Sequence, residues 1–302
     1  MKAKTIKTVL RKKVDEWAAS IEDPLVRKIV LDQTIVTGGA NTSMLLREPV
    51  NDFDVYFRTQ GAAAAVAKYY VDRFQPKERN GIGCAIFVDT KPSLSGEPRV
   101  RIVVKSAGVA SEEGAVTPYQ YFESREGMAG EYVAEVFNGP EAVADKYEEL
   151  KDEPQADTGV PYRPVFISTN AITLSDKVQV VLRFFGEAEE IHRNYDFVHC
   201  TNYWTSHDNV LVLRQPALEA ILARELVYVG SKYPVCSVVR LRKFIKRGWT
   251  INAGQILKMC MQISALDLTN IEVLQDQLTG VDIAYFCEVM GKLKDKDPER
   301  VD

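Results

Sequence analysis

The sequence predicts an α/β protein in two parts, in which an α/β part is followed by a part made of helices alone. Up to about residue 215, helical patterns and alternating strand-like patterns follow one another along the chain. From Pro216 onward, apolar residues recur only at helical spacing. The chain has 302 residues, of which 46% are hydrophobic, so it is long enough to bury a large core.

The first 33 residues are predicted to form a helical lead-in. Apolar residues recur at helical spacing over residues 5–31, and Asp23-Pro24 divides this pattern into two helices. Asp23 is a typical N-cap residue, and proline is favoured at the first position of a helix. We therefore expect the second helix to begin at Pro24.

Residues 34–215 are predicted to form the α/β core. Thr34 begins "TIVTGG", a short buried strand that runs into a glycine turn. A short helix, "NTSMLLRE", is expected next, with Asn41 or Thr42 as its cap. Asp52 then begins the alternating strand "DFDVYFRT", and the helix "AAAAVAKYYVDRF" follows. The remaining predicted elements are the strands "GCAIFVD", "RVRIVVK", "PVFIST", "KVQVVLRF", "YDFVHCTNYW" and "NVLVLR" and the helix "EAEEIHRN".

Two further segments complete the predicted organisation. Residues 106–161 hold acidic runs, glycines and prolines, and we interpret them as an insertion in the core. Residues 216–302 are predicted to form a helical C-terminal domain. Its expected helices are Pro216–Val229, Val235–Lys246, Ala253–Leu266, Ile271–Gln277 and Ile283–Leu293.

Composition excludes several classes of protein. No stretch approaches the roughly 18 consecutive apolar residues of a membrane span, so no membrane partner is expected. The five cysteines are scattered without a C-x-x-C pair, which argues against a disulfide framework or a zinc site and favours a reducing, cytoplasmic compartment. The net charge of −4 gives no overall attraction to nucleic acid, so such binding would need a local basic patch.

Asp52 and Asp54 are the first candidate functional residues. Side chains alternate between the two faces of a strand, so both carboxylates are expected to point the same way. Two carboxylates on one face repel each other unless a cation lies between them. Mg²⁺ is the favoured cation because it prefers oxygen ligands and commonly bridges to phosphates. The alternative is that both residues lie on the solvent face of an edge strand.

Gly38-Gly39 supplies the other half of the predicted site. A glycine turn that leads into a helix start presents free backbone N–H groups, which together with the hydroxyls of Thr42 and Ser43 could hold phosphate oxygens. Carboxylates, metal and phosphate cradle together indicate phosphoryl or nucleotidyl transfer. The pair taken alone is equally consistent with an ordinary tight turn.

These residues resemble a known family. The order Gly38-Gly39-Ala40, Leu45-Leu46, Pro49, Asp52 and Asp54 resembles the signature of the nucleotidyltransferase superfamily that includes DNA polymerase beta. It is more similar still to tRNA CCA-adding enzymes and bacterial poly(A) polymerases. Those enzymes usually carry Arg-Asp after the glycines, where this chain has Thr42-Ser43.

The resemblance implies a nucleotidyltransferase core with a mixed sheet and a third carboxylate on a neighbouring strand. Asp196 in "NYDFVHC" is the preferred position for that carboxylate, and Asp89 in "AIFVD" is the competing choice. The segment "VQVVLRFFGEAEEIHRNYDF", which contains Asp196, resembles segments in viral members of the superfamily.

The resemblance also implies a mechanism. Asp52 and Asp54 would hold two Mg²⁺ ions on the triphosphate of an incoming nucleotide, with ATP or CTP favoured. Asp196 would complete one metal site and help to deprotonate an acceptor hydroxyl. An RNA 3′ end, such as that of a tRNA, is the favoured acceptor. The alternatives are a protein side chain or small molecule, as in toxin-like relatives, or an inactive module that binds nucleotide or RNA.

One basic patch could serve such a site. In "VVRLRKFIKRG", helical spacing places Arg240, Lys243 and Arg247 on one face. Val238, Leu241 and Ile245 are expected to face the core. The patch could bind a triphosphate or an RNA backbone, and Arg224 and Lys232 could join it. The alternative is an ordinary solvated helix face.

Overall fold

The computed structural model describes residues 1–73, 84–92, 96–106, 161–167 and 170–268, together with residues 270, 273 and 277. The predicted insertion over residues 106–161 falls outside these residues except at its two ends. The predicted helix Ile283–Leu293 also falls outside them, as does Ile271–Gln277 except at residues 273 and 277.

Helices and strands alternate up to residue 214, and helices follow. The helices are α1 (Ala3–Ser20), α2 (Pro24–Gln33), α3 (Gly39–Leu46), α4 (Gln60–Arg73), α5 (Ala188–His192), α6 (Gln215–Ala223), α7 (Pro234–Lys246) and α8 (Ala253–Ser264). The strands are β1 (Thr34–Thr37), β2 (Phe53–Phe57), β3 (Cys84–Asp89), β4 (Arg101–Ser106), β5 (Pro164–Ile167), β6 (Ala171–Leu174), β7 (Val178–Val181), β8 (Tyr203–Thr205) and β9 (Val210–Val212).

Seven of these strands form one mixed sheet in the order β5-β6-β7-β2-β1-β8-β9. β2 pairs with β7 in parallel, whereas the other neighbouring pairs in this sheet are antiparallel. β3 and β4 form a separate antiparallel hairpin. The predicted fold class, a mixed-sheet α/β part followed by helices, is confirmed. The predicted division into domains stays a prediction, although α1 and α2 contribute side chains to the main core.

Hydrophobic clusters cover both faces of the sheet around β2. Phe53, Val55 and Phe57 face the main core, which also contains the fully buried Trp17 of α1. Tyr56 faces the opposite way and packs in a smaller cluster with residues of α5. Since side chains alternate along a strand, Asp54 shares the face of Tyr56.

The N-terminal helices follow the sequence closely. Asp23 caps α2 as predicted: its side chain accepts hydrogen bonds from the backbone N–H groups of Leu25, at 2.8 Å, and Val26, at 3.3 Å. Pro24 is the first residue of that helix. Among the described residues, no helix combines the length and apolar character that crossing a bilayer requires.

The start of α3 was predicted wrongly. The helix begins at Gly39, so Gly38 occupies the cap position in place of Asn41 or Thr42. Gly38 has φ 94° and ψ −153°, a conformation essentially restricted to glycine, and this turns the chain directly into the helix. The Asn41 amide instead donates to the carbonyl oxygens of Val36, at 3.1 Å, and Asn202, at 2.9 Å, which ties α3 to the sheet.

The strand predicted over "YDFVHCTNYW" is also wrong for most of its length. The strand begins only at Tyr203, and Val198–Cys200 forms a 3₁₀ turn. The physical reason is competition from a distant segment. Val198 N–H donates to the carbonyl of Val227 at 3.0 Å, and Phe197 forms an isolated antiparallel bridge with Tyr228. Asp196 therefore lies in a loop and not on a strand of the sheet.

Candidate functional site

The glycine turn and Asp54 meet where β1 ends and β2 begins. The two strands are antiparallel neighbours, with Val36 opposite Val55, so the residue after β1 approaches the start of β2. A Cβ atom placed on Gly38 would lie 2.7 Å from Oδ2 of Asp54. The carboxylate thus packs directly against the glycine backbone. Asp52, half-buried, immediately precedes the strand.

The two predicted hydroxyls of α3 have different surroundings. Both residues are buried, and Thr42 donates a hydrogen bond to the carbonyl of His199 at 2.8 Å, so it holds α3 against the 3₁₀ turn. Ser43 Oγ accepts a hydrogen bond from Nη2 of Arg247 at 3.2 Å. Ser43 is therefore already joined to a residue of the predicted basic patch. Phosphate binding by either hydroxyl remains a prediction.

Asp196 is buried and paired with a second residue of that patch. Its Oδ2 accepts a hydrogen bond from Nη1 of Arg240 at 2.8 Å, and its Oδ1 accepts one from the backbone N–H of Phe197 at 3.0 Å. Burial disfavours the charge of Arg240, but the neighbouring Asp196 carboxylate outweighs it and raises the pKa of the guanidinium. Asp196 and α7 are thus held together by an ion pair.

Cys200 lies within electrostatic range of both candidate carboxylates. Burial raises the pKa of its thiol, and the negative charges of Asp196 and Asp54 raise it further. The charges of Arg240 and Arg247 act on the same thiol in the opposite direction. Charged residues that are far apart in sequence therefore act on one thiol. The same residue adjoins the glycine turn, since the Gly38 N–H donates to the Cys200 carbonyl at 3.1 Å.

The basic patch is carried by α7 as predicted, but its packing differs from the prediction. Val238 and Ile245 are exposed, whereas Leu241 and Phe244 pack against a hydrophobic cluster that contains Phe197. Of the three residues predicted to face the core, Leu241 does so, whereas Val238 and Ile245 do not. Phe244 instead meets the ring of Phe197 at a centroid distance of 5.6 Å, which places Arg240 against Asp196.

The chemistry of the carboxylates fits Mg²⁺ in part. Asp52 and Asp54 offer the oxygen ligands that Mg²⁺ prefers. Within the described part of the chain, however, no three His, Cys, Asp or Glu side chains are grouped closely enough to hold a metal ion. Both Asp196 oxygens already have protein partners, so Arg240 and the Phe197 N–H would compete with a metal ion for this carboxylate. The competing candidate, Asp89, belongs to the β3–β4 hairpin and pairs with Arg101 at 2.7 Å.

Glu48 also belongs to this region, although no sequence motif singled it out. Its Oε1 accepts a hydrogen bond from Nη2 of Arg224 at 2.7 Å, and its Oε2 accepts one from Nη2 of Arg247 at 3.1 Å. The arginines are 176 and 199 residues away in the sequence. No local sequence pattern could have indicated that Glu48 contacts two arginines, although Arg224 was a candidate for the basic patch.

A buried histidine supports the glycine turn. Arg214 Nη1 lies 3.2 Å from Nδ1 of His192 and can only donate, so Nε2 of the neutral ring carries the hydrogen. Nε2 lies 2.8 Å from the hydroxyl of Thr37, the residue before Gly38. The Thr37 hydroxyl in turn donates to the carbonyl of Asn202 at 3.1 Å. This chain of contacts anchors the end of β1.

Because His192 and His199 are buried, we expect the protein to lose stability at acidic pH. Burial and then the charge of Arg214 lower the pKa of His192 to about 4. Burial likewise lowers the pKa of His199 to about 4. The negative charge of Asp196 opposes this shift, and the positive charge of Arg247 adds to it. In the unfolded chain both imidazoles protonate near pH 6.5. Their contribution to stability is therefore complete above pH 6.5 and is lost as the pH falls towards 4.

We expect each histidine to account for a loss of up to about 3 kcal/mol in unfolding free energy across that window. Urea unfolding at pH 7 and at pH 4.5 measures this loss. His199→Phe should reduce it, because the replacement keeps an aromatic ring among Phe244 and Trp249 and removes the titrating group. An equal loss in the wild type and the variant would contradict the assignment.

Comparisons with known proteins identify the family. A sequence model described as "Gabija anti-defense 2 family protein" matches residues 8–224, which is more than half of the 302 residues. A protein named "Gabija anti-defense 2" from Bacillus phage SPbetaL7 is 24% identical over 123 residues, which are 40% of this chain and 31% of that protein. The match thus spans about a third of that relative's length.

Among solved structures, the Thermotoga maritima CCA-adding enzyme in complex with tRNA aligns with 93% of this chain and 54% of its own, at 11% identity and a TM-score of 0.40. The family match extends from α1 to the end of α6, and so includes the glycine turn, Asp52, Asp54 and Asp196. The chain belongs to the Gabija anti-defense 2 family.

Proposed function

We propose that this protein is a nucleotidyltransferase that moves a nucleoside monophosphate from an NTP to an acceptor hydroxyl with release of pyrophosphate. We further propose that it counters the Gabija defence system by this reaction. The observation that carries the proposal is the contact between the Asp54 carboxylate and the Gly38 turn at the start of α3. A carboxylate beside the backbone N–H groups of a helix start suits a site that binds a metal ion and a phosphate together.

Each candidate residue has a role in this proposal. Phosphate oxygens are bound by the free backbone N–H groups at the start of α3, which follow Gly38 and Gly39, and by the Ser43 hydroxyl. The basic patch of Arg240, Lys243 and Arg247 balances the phosphate charge. Asp52 and Asp54 hold Mg²⁺, which when bound neutralises charge on the phosphates. Asp196 accepts the proton of the acceptor hydroxyl once Arg240 has released its carboxylate.

The acceptor is the least constrained part of the proposal. The sequence resemblance favours an RNA 3′ end, such as that of a tRNA. The family name favours a component of a defence system, and hence the alternative of a protein side chain. We therefore propose a hydroxyl group on a protein of the Gabija system as the acceptor, with RNA as the competing outcome of the test.

The experiment is incubation of the purified protein with α-³²P-labelled NTPs, Mg²⁺ and either total RNA or purified Gabija proteins. We expect label on protein from the wild type and none from Asp54→Asn, which loses a charge but keeps its size. Asp32→Asn, at an exposed helix position, is the matched control and should transfer label like the wild type. Label on RNA alone would redirect the proposal to an RNA acceptor. Equal label from the wild type and Asp54→Asn would overturn it.

A second function, an inactive module that binds nucleotide without transferring it, is favoured by one observation. Both oxygens of Asp196 are engaged by Arg240 and by the Phe197 N–H. A permanent ion pair would leave the site without its third carboxylate. This function would be supported by measurable NTP binding, unchanged protection of phage from Gabija in Asp54→Asn, and no transfer of label.

A further inference from the structure

A carboxylate held between two arginines lies beside α3. Arg224 donates to one oxygen of Glu48 and Arg247 to the other, at 2.7 Å and 3.1 Å. Arg247 also donates to the Ser43 hydroxyl at 3.2 Å. Two guanidinium groups thus converge on one carboxylate, and one of them also contacts a hydroxyl.

The position of this cluster connects it to the glycine turn. Ser43 lies one helical turn after Gly39, at which α3 begins. The charge of Arg247 also acts on Cys200, the thiol that experiences the charges of Asp54 and Asp196. A chain of phosphates that began at Gly38 and ran along α3 would meet Arg247 next.

Backbone hydrogen bonds hold Arg224 and Arg247 at the ends of α6 and α7. Arg224 ends α6 in a left-handed conformation with φ 51°, and its carbonyl accepts a hydrogen bond from the backbone N–H of Thr250 at 2.9 Å. Arg247 directly follows α7, and its N–H donates to the carbonyl of Lys243 at 3.2 Å. The backbone of each arginine is therefore held by hydrogen bonds that do not involve Glu48.

Exposure leaves the cluster open to a ligand. The side chains of Arg224 and Arg247 are 41% and 40% exposed, and that of Glu48 is 24% exposed, whereas Ser43 is buried behind Arg247. A planar carboxylate that accepts hydrogen bonds from two guanidinium groups uses the same donors that would bind a phosphate group. An anion with more charge than a carboxylate would compete for them.

We propose that Arg224 and Arg247, the latter held by the Ser43 hydroxyl, form a subsite for the terminal phosphate groups of a polyphosphate ligand, and that Glu48 occupies this subsite in the free protein. The inference rests on the proposed function, because it extends the predicted phosphate site along α3. Glu48 acts as an internal competitor: a ligand must displace its carboxylate, so weakly charged anions are excluded and a triphosphate is favoured.

The test uses inorganic tripolyphosphate as the probe and isothermal titration calorimetry on the full chain. Glu48→Gln keeps the shape and hydrogen-bond acceptor of the side chain but removes its charge. We expect it to tighten tripolyphosphate binding by about tenfold, equivalent to about 1.4 kcal/mol. Arg247→Gln and Arg224→Gln should each weaken binding by a similar factor, since each removes one charged donor.

A matched control separates this effect from net charge. Glu22 pairs with Arg73 at 2.8 Å on the surface, so Glu22→Gln makes the same change in charge elsewhere. Tightening in Glu48→Gln that exceeds the effect of Glu22→Gln supports the subsite, and equal effects overturn it. Glu48→Asp gives a second measurement, because a shorter side chain should no longer bridge both arginines and should also bind tripolyphosphate more tightly than the wild type.

This measurement of tripolyphosphate binding does not depend on nucleotidyl transfer. Tripolyphosphate carries no nucleoside and cannot be a donor in nucleotidyl transfer. Binding governed by Glu48 together with no label transfer would keep the subsite and overturn the proposed function. Label transfer together with binding that is insensitive to Glu48, Arg224 and Arg247 would keep the proposed function and overturn the subsite.

Discussion

Gly38→Ala is expected to reduce nucleotidyl transfer at least about 100-fold, because small displacements in a catalytic site have effects of that order. The added methyl group would lie 2.7 Å from Oδ2 of Asp54, closer than real Cβ atoms approach other atoms. The carboxylate would have to move or the turn would have to change. In addition, φ 94° with ψ −153° is a conformation that only glycine adopts readily, so we expect a stability loss of about 1–3 kcal/mol.

Gly39→Ala is the matched control for this prediction. A methyl group on Gly39 meets no atom within 4 Å, and the residue is the first of α3. Alanine is the better helix former, so Gly39→Ala should be as stable as the wild type or slightly more stable. Single-turnover transfer and urea unfolding of both variants measure the two effects. Wild-type transfer by Gly38→Ala would show that the contact with Asp54 is not part of the active site.

Asp196→Asn is expected to reduce transfer by about 10²–10⁴-fold, the usual range for the loss of a general base. The amide keeps the size of the side chain and can still accept a hydrogen bond from Arg240, which lies 2.8 Å from the present carboxylate. It cannot take a proton from the acceptor hydroxyl. Arg240→Gln should retain far more transfer, because it leaves the carboxylate in place and removes only one cation of the basic patch.

Stability measurements separate this role from a purely structural one. If Asp196 and Arg240 act only as an ion pair, Asp196→Asn and Arg240→Gln should each lower the free energy of unfolding. The double variant should then lose less than the sum of the two single losses. The same cycle measured on transfer should show a large effect of Asp196→Asn in either background. Similar transfer by Asp196→Asn and Arg240→Gln would mean that Asp196 is only the partner of Arg240, and that the general base lies elsewhere.

Some features of the fold and of the site were predictable because each has a local physical cause. Asp23 and Pro24 determine the start of α2 through one side-chain cap and one restricted φ angle, and both act within a single turn. In the same way, the position of Asp54 follows from the alternation of β2. The glycine pair required a turn. The helix cap at Gly38, three or four residues before the predicted caps, depended on the φ angle of that glycine.

The segment around Asp196 shows why the rest was not predictable. "YDFVHC" alternates like a strand, yet Phe197 and Val198 pair with residues 227–228 and leave the sheet. Alternation reports that a segment is extended and half-buried, but not which partner supplies its hydrogen bonds. That choice depends on the position of α6 and of the chain that follows it.

By itself, the sequence determined the α/β class, the helical ending and the stretch from Gly38 to Asp54, since these depend on periodicity and on single-residue conformational preferences. Tertiary structure alone decided that Arg240 meets Asp196 and that Glu48 lies between Arg224 and Arg247. These contacts join residues 44 to 199 positions apart. Attraction between charges depends on distance in space, and only the packing of α6 and α7 against α3 brings those charges together.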